Sequence, residues 1–186
     1  MALVEQADFL RGYSAFLPGL AVSVIAAILL GRRVGRWLGA GWAIGFGLVL
    51  ALGLILSATV TPGDRALVDG IAGSGSCDLG RIGLPSAAEL VWPGEALLNA
   101  LLFIPLGAAI GLSPPSRART LLAVAALALP FAIELVQLEV ARLGRQCQSE
   151  DVVDNLVGLA IGFALVIVVR AIVRPLQRER TGEPAG

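Results

Sequence analysis

The chain has 186 residues, of which 56% are hydrophobic and 15% charged, and its mean hydropathy is +0.83. Soluble domains carry about 25% charged residues, and disorder needs low hydrophobicity with high charge, so this composition excludes both an ordinary soluble domain and a disordered chain. Fourteen basic and 14 acidic residues cancel and there is no histidine, which removes the electrostatic footprint of a nucleic-acid binder, every His-containing catalytic triad and every His-ligated metal site.

A helix needs about 20 mostly apolar residues to cross about 30 Å of hydrocarbon. Five stretches qualify, at about 13–31, 40–60, 94–112, 120–138 and 151–173. Backbone groups in lipid must be satisfied internally, and none of the five alternates with period two as a barrel strand would. The sequence therefore predicts an all-α, multi-pass integral membrane bundle of about five transmembrane helices. Residues 1–12 form a short segment ahead of the first span, and 174–186 a polar tail after the last. The leading segment carries Glu5, Asp8 and Arg11 and not the positive n-region of a signal peptide, so the first span is expected to be retained. Two long connections follow, at 61–93 and 139–150. Gly73-Ser74-Gly75-Ser76 marks a flexible turn in the first of them. Trp92-Pro93-Gly94-Glu95 is expected to open the third span, with proline and an acidic residue in its first turn. Pro130 is expected to interrupt the hydrogen bonding of the fourth span.

Orientation follows from arginine placement. One set of loops holds Arg32, Arg33, Arg36, Arg117, Arg119, Arg170, Arg174, Arg178 and Arg180; the other holds Arg11, Arg65, Arg81, Arg142 and Arg145. The larger set predicts an N-terminus outside and a C-terminus in the cytoplasm. Tyr13 and Trp92 then mark the outer boundary, and Trp37 and Trp42 the inner one. Cys77 and Cys147 both fall in outer loops. They are a candidate disulfide in an oxidising compartment; the alternative is two unrelated thiols.

Polar residues inside spans are rare and face other helices or a wet cavity. Asn99 lies near the outer end of the third span, Glu134 and Gln137 near that of the fourth, and Asp151, Asp154 and Asn155 at that of the fifth. At 1.5 Å per residue each sits within roughly 5–10 Å of one boundary. Glu134 and Gln137 share a helix face, as do Asp151 and Asn155. Two readings stand. One is interhelical glue, worth about 0.6 kcal/mol per bond. The other is an outward-facing polar cup beneath a loop carrying Arg142 and Arg145. Gly107 and Gly111, and Gly158 and Gly162, are small-xxx-small pairs that let helix backbones approach.

Asn99-Ala-Leu-Leu-Phe103-Ile-Pro105-Leu-Gly107 resembles the N-x-x-L-F-x-P-L-G signature of VanZ-like membrane proteins. Glu134-x-x-Gln137, followed by Arg145, Asp151, Asn155, Gly158 and Gly162, is similar to the E-x-x-Q … R … D-x-x-x-N-x-x-G-x-x-x-G run of that family. The match covers roughly Glu95 to Phe163. Gln148 stands where many members have an acidic residue, and Asp154 where an apolar one is usual. The resemblance implies a small multi-pass protein of the bacterial cell envelope. The namesake of the family is associated with resistance to the glycopeptide antibiotic teicoplanin.

Three functions fit these residues. The first is binding of an envelope lipid, an anionic head group or a cell-wall precursor in the cup, with Arg142 and Arg145 on the phosphate and Glu134, Asn99 and Asn155 on hydroxyls or a cation below. Altered teicoplanin susceptibility would be a consequence. The second is a membrane-embedded enzyme with Glu134 as acid or base and Asp151 and Asp154 as weak candidates for a hard cation; no strong catalytic or metal signature supports it, and no cofactor is expected. The third is a structural subunit of a membrane complex, its protein partner unspecified by the sequence. A transporter fits less well, because the polar residues lie near one face and no inverted repeat is visible.

Overall fold

The computed structural model describes residues 16–63, 66–67, 70 and 72–181, with no side chains described from 174 onward. The predicted leading segment, Tyr13 and Arg65 lie outside the described residues. Among the described residues, five helices are long and apolar enough to cross a membrane: α1 (Phe16–Trp37), α2 (Trp42–Thr59), α3 (Glu95–Leu112), α4 (Arg117–Glu139) and α5 (Ser149–Thr181). Their bounds refine the sequence reading in three places. Helix α3 begins at Glu95 behind Gly94, so Pro93 precedes the helix and does not sit in its first turn. Helix α4 runs through Pro130 as one element. Helix α5 continues through the segment read as a tail as far as Thr181.

Helices α1 and α2 form a hairpin. Gly39, at φ +66°, turns the chain. Its N–H bonds to Arg36 O, and Ala40 N–H reaches back to Gly35 O at 2.8 Å. These two bonds satisfy the last carbonyls of α1 in a Schellman arrangement, whose left-handed residue favours glycine. Along the hairpin, Ser23 and Ser57 face each other at 3.3 Å between hydroxyl oxygens. Each also donates to the carbonyl four residues earlier in its own helix, Gly19 O and Gly53 O, at 2.7 Å.

Helix α2 packs on α3, α3 on α5, and α5 on α4. The shared core takes Leu48, Ala51 and Ile55 from α2, Phe103, Leu106 and Ile110 from α3, Ile133 from α4 and Leu159 from α5. Outward faces are apolar: Val22 and Leu29 on α1, Leu121 and Phe131 on α4 and Val168 on α5 are exposed. In water such a surface would aggregate; in a bilayer it is the lipid contact.

Lipid tails are as apolar as leucine, so helices in a membrane associate by packing and not by hydrophobic exclusion. The α3–α5 seam shows this. A Cβ on Gly107 would collide with Leu159 O, one on Gly158 with Ala100 O, and one on Gly162 with Ile104 O. Three glycines thus bring main chain against main chain. Gly111 completes the seam against Val166. We expect Gly162→Ala to lower stability by about 1–3 kcal/mol, the usual cost of overpacking. Gly47→Ala, where the added Cβ meets nothing within 4 Å, should be neutral or mildly stabilising through helix propensity. Thermal or denaturant unfolding in detergent compares the two; equal effects would mean that the seam tolerates a methyl group.

Candidate functional site

The seam brings together the polar ends of four helices. Helix α2 ends, α3 begins, α4 ends and α5 begins at the end of the bundle that carries both long connections. The last carbonyls of α2 lack intrahelical donors, and residues from elsewhere bond this end of the helix and the chain just beyond it. Gln137 Nε2 of α4 donates to Thr59 O at 3.0 Å, and Arg145 Nε donates to Thr61 O at 3.2 Å.

The connection between α4 and α5 is short and tightly held. It contains a 3-10 turn, Ala141–Leu143, closed by Gly144 at φ +61°. It then forms a two-residue strand, β2 (Cys147–Gln148), which pairs in parallel with β1 (Cys77–Asp78) of the long α2–α3 connection. Cys77 and Cys147 are joined by a disulfide, with their Cα atoms 4.5 Å apart. Main-chain bonds from Gly63 N to Leu143 O and from Gly73 N to Ala141 O dock more of the long connection on the same turn.

Between these elements lies an open cleft of about 550 Å³. Asn99, Gln137, Arg145 and Asp151 line it, with Glu95, Gln148 and the glycines at 63 and 144. Asn99 Nδ2 donates to Asp151 Oδ1 at 2.6 Å, a charge-assisted bond that crosses the α3–α5 seam. Gln137 is buried, with 6% exposure. Its Nε2 serves Thr59, while its Oε1 is buried without a hydrogen-bond partner among the described residues.

The remaining candidates take other positions. Glu134 does not line the cleft. It is buried behind the cleft wall, where Oε2 accepts the Gln148 N–H at 2.7 Å and so fixes β2. Asn155 is buried deeper in the seam, its Oδ1 also unpartnered among the described residues. Arg142 is exposed on the 3-10 turn and is absent from the cleft lining, so only one of the two loop arginines reaches it. No group of three or more His, Cys, Asp or Glu side chains among the described residues is arranged to hold a metal ion.

Asp154 belongs to a second, adjoining hollow of about 320 Å³, which shares Glu95 and Asp151 with the cleft. Its carboxylate, 2% exposed, receives the Arg81 guanidinium, whose Nη2 lies 2.9 and 2.8 Å from the two oxygens. Arg81 Nε is 3.6 Å from Glu150 Oε2, too long for a hydrogen bond. Arg81 Nη1 donates to Gly83 O, and Arg81 O accepts from Ser149 Oγ. The hydrogen bond to Asp154 raises the Arg81 pKa further above its already high value. At the rim, Ser86 and Glu89 exchange bonds in a capping box, the Ser86 N–H donating to Glu89 Oε2 at 2.6 Å. These bonds hold the Glu89 carboxyl below its ordinary range.

Arg81, Glu95 and Gln148 are not among the site residues that the sequence offers, which marks Glu95 only as a helix-opening acidic residue and Gln148 only as a departure from the family pattern. Asp154 in an apolar span demands a cation, but nothing in the spacing chooses Arg81, 73 residues away, over the other loop arginines. Gln148 contributes its backbone N–H, which no side-chain pattern reveals.

Five apolar helices closed around a polar, loop-covered cleft at one end define a polytopic membrane protein. A family model for VanZ/LLP1 matches residues 48–170, from α2 into α5, and the chain belongs to that family. The matched region contains every residue that lines the cleft. No curated protein and no solved structure matches the chain.

Removing one member of a buried ion pair leaves the other uncompensated, at a cost of about 3–5 kcal/mol, whereas replacing both with apolar side chains is nearly neutral. Arg81 is 22% exposed at its side chain, which moves the expectation to the lower end. Arg81→Met should destabilise by about 3 kcal/mol, and Arg81→Met with Asp154→Leu should recover most of that loss. A double-mutant cycle on unfolding free energies measures it; additive losses would mean that the pair is not coupled.

Proposed function

We propose that the protein binds a phosphate-bearing lipid head group in the cleft, at the outer face of a bacterial cytoplasmic membrane. The observation that carries this reading is the cleft itself: polar side chains from α3, α4 and the α4–α5 connection converge at one end of an otherwise apolar bundle. That depth is where head groups meet protein. Arg145 supplies a guanidinium suited to phosphate, and Asn99, Asp151 and Gln137 supply hydrogen-bonding groups beneath it. Arg142, exposed on its turn, has no part in this reading. Glu134 holds the cleft wall through Gln148 and acts as a positioning residue. Altered teicoplanin susceptibility is the phenotype this reading implies for a cell that carries the chain.

Two observations support the outward orientation of the cleft. The disulfide lies at the cleft end, and disulfides persist in oxidising compartments. The arginines of the opposite loops and the C-terminal segment outnumber those of the cleft end, as cytoplasmic loops require. Green fluorescent protein fused after Gly186 should fluoresce and alkaline phosphatase fused there should be inactive. The reverse pattern would place the cleft in the cytoplasm.

Lipid identification by mass spectrometry on gently purified protein tests the binding reading. Wild type should retain a defined phosphate-bearing lipid, and Arg145→Ala should retain at least about tenfold less of it, the scale of one charge-assisted bond. The same unselective lipids on both proteins, at equal thermal stability, would leave the polar cluster as interhelical glue.

A further inference from the structure

The cleft is not built for an anion alone. Two carboxylates, Glu95 and Asp151, line both the cleft and the adjoining hollow, so they stand on the boundary between the two spaces. Among the described residues no cation pairs with either of them. Arg81 is engaged with Asp154 and lies beside Glu150. Arg145 gives its Nε to Thr61 O. Asp151 holds only the neutral Asn99 amide, on Oδ1.

An independent observation points the same way. Gln137 Oε1 is a buried acceptor in the cleft wall with no donor among the described residues. An unpaired buried acceptor costs about 1–3 kcal/mol, and the amide cannot rotate to relieve it without giving up the bond to Thr59 O. The cleft is therefore lined by two carboxylates, Glu95 and Asp151, and by Gln137, whose buried Oε1 is a spare acceptor in the wall, together with Arg145.

Resting on the head-group reading above, we propose that the cleft selects a head group bearing a primary ammonium beside its phosphate, with the ammonium held by Glu95, Asp151 and the Gln137 amide oxygen. A primary ammonium carries three N–H donors and one positive charge, which matches three acceptors of net negative charge. A quaternary ammonium has the charge but no donor. A glycerol head group has donors but no charge. Trp92, in the wall of the adjoining hollow, adds an aromatic face on the cation side.

The test uses the full chain in nanodiscs containing phosphatidylethanolamine, phosphatidylcholine or phosphatidylglycerol with identical acyl chains, read by native mass spectrometry. Phosphatidylethanolamine should bind about tenfold tighter than either of the others, on the scale of a hydrogen bond to a charged group. Glu95→Gln should erase that preference at unchanged thermal stability, since Glu95 has no bonded partner to lose among the described residues. Asp151→Asn, which keeps an oxygen for Asn99, should do the same. Phosphatidylglycerol bound as tightly as phosphatidylethanolamine, or a preference that survives both substitutions, overturns the proposal while leaving head-group binding intact. Failure of the head-group reading looks different: all three lipids bind weakly and equally, to wild type and to Arg145→Ala alike. Soluble phosphoethanolamine is the second arm. No displacement at matched concentration identifies the membrane lipid as the source; displacement identifies a soluble ligand of the same chemistry.

Discussion

The close approach of α3 and α5 is the constraint on which the rest depends. Gly107, Gly158 and Gly162 set the two backbones in contact, a separation that a single methyl group would widen. Everything polar in the cleft is referenced to that seam. Asn99 stands one residue before Ala100, whose carbonyl faces Gly158, and it reaches Asp151 across the gap. If the backbones moved apart, that bond would lengthen and the carboxylate would lose its only amide donor among the described residues.

The seam also explains why polar groups are tolerated at this depth. Each is tied to a backbone atom or a partner that the packing delivers. Gln137 and Arg145 close the open end of α2, Glu134 receives the N–H of Gln148, and Asp154 receives Arg81. The bundle thus joins its helix ends by polar contacts and its helix bodies by small-residue packing. The exceptions among the described residues are one donor, Arg81 Nε, and two acceptors, Gln137 Oε1 and Asn155 Oδ1, left over after these duties. Fully satisfied networks rigidify a site; leftover acceptors in a satisfied frame mark where a ligand has something to gain.

Much of the fold was legible in the sequence because the bilayer imposes a simple rule. Runs of apolar residues of spanning length have one solution, and all five were visible. The glycine pairs were legible as candidates, but small residues four apart are common in any glycine-rich span, and only the packing shows which of them meet a neighbouring backbone. The site was only half legible. Helical spacing put Asn99, Gln137 and Asp151 at one depth, and they share a cleft. Spacing could not say that Glu134 faces a wall and not the cleft, because the N–H that it accepts belongs to a connection without periodicity. Nor could spacing pair Asp154 with Arg81 or turn Arg142 away, since both depend on how irregular segments fold back. Periodic segments encode depth and face; the loops that decide which polar groups meet carry no such signal.

The disulfide carries a consequence for how the chain is made. Cys77 and Cys147 are 70 residues apart, and the segment between them contains the whole of α3 and α4. Cys147 leaves the ribosome after both helices, so the bond closes only once the α3–α4 hairpin has been threaded through the membrane. Had either helix failed to insert, the two sulfurs would lie on opposite sides and stay apart. The bond therefore reports on insertion as well as tying two loops together: a chain that has lost one of the two spans cannot close it.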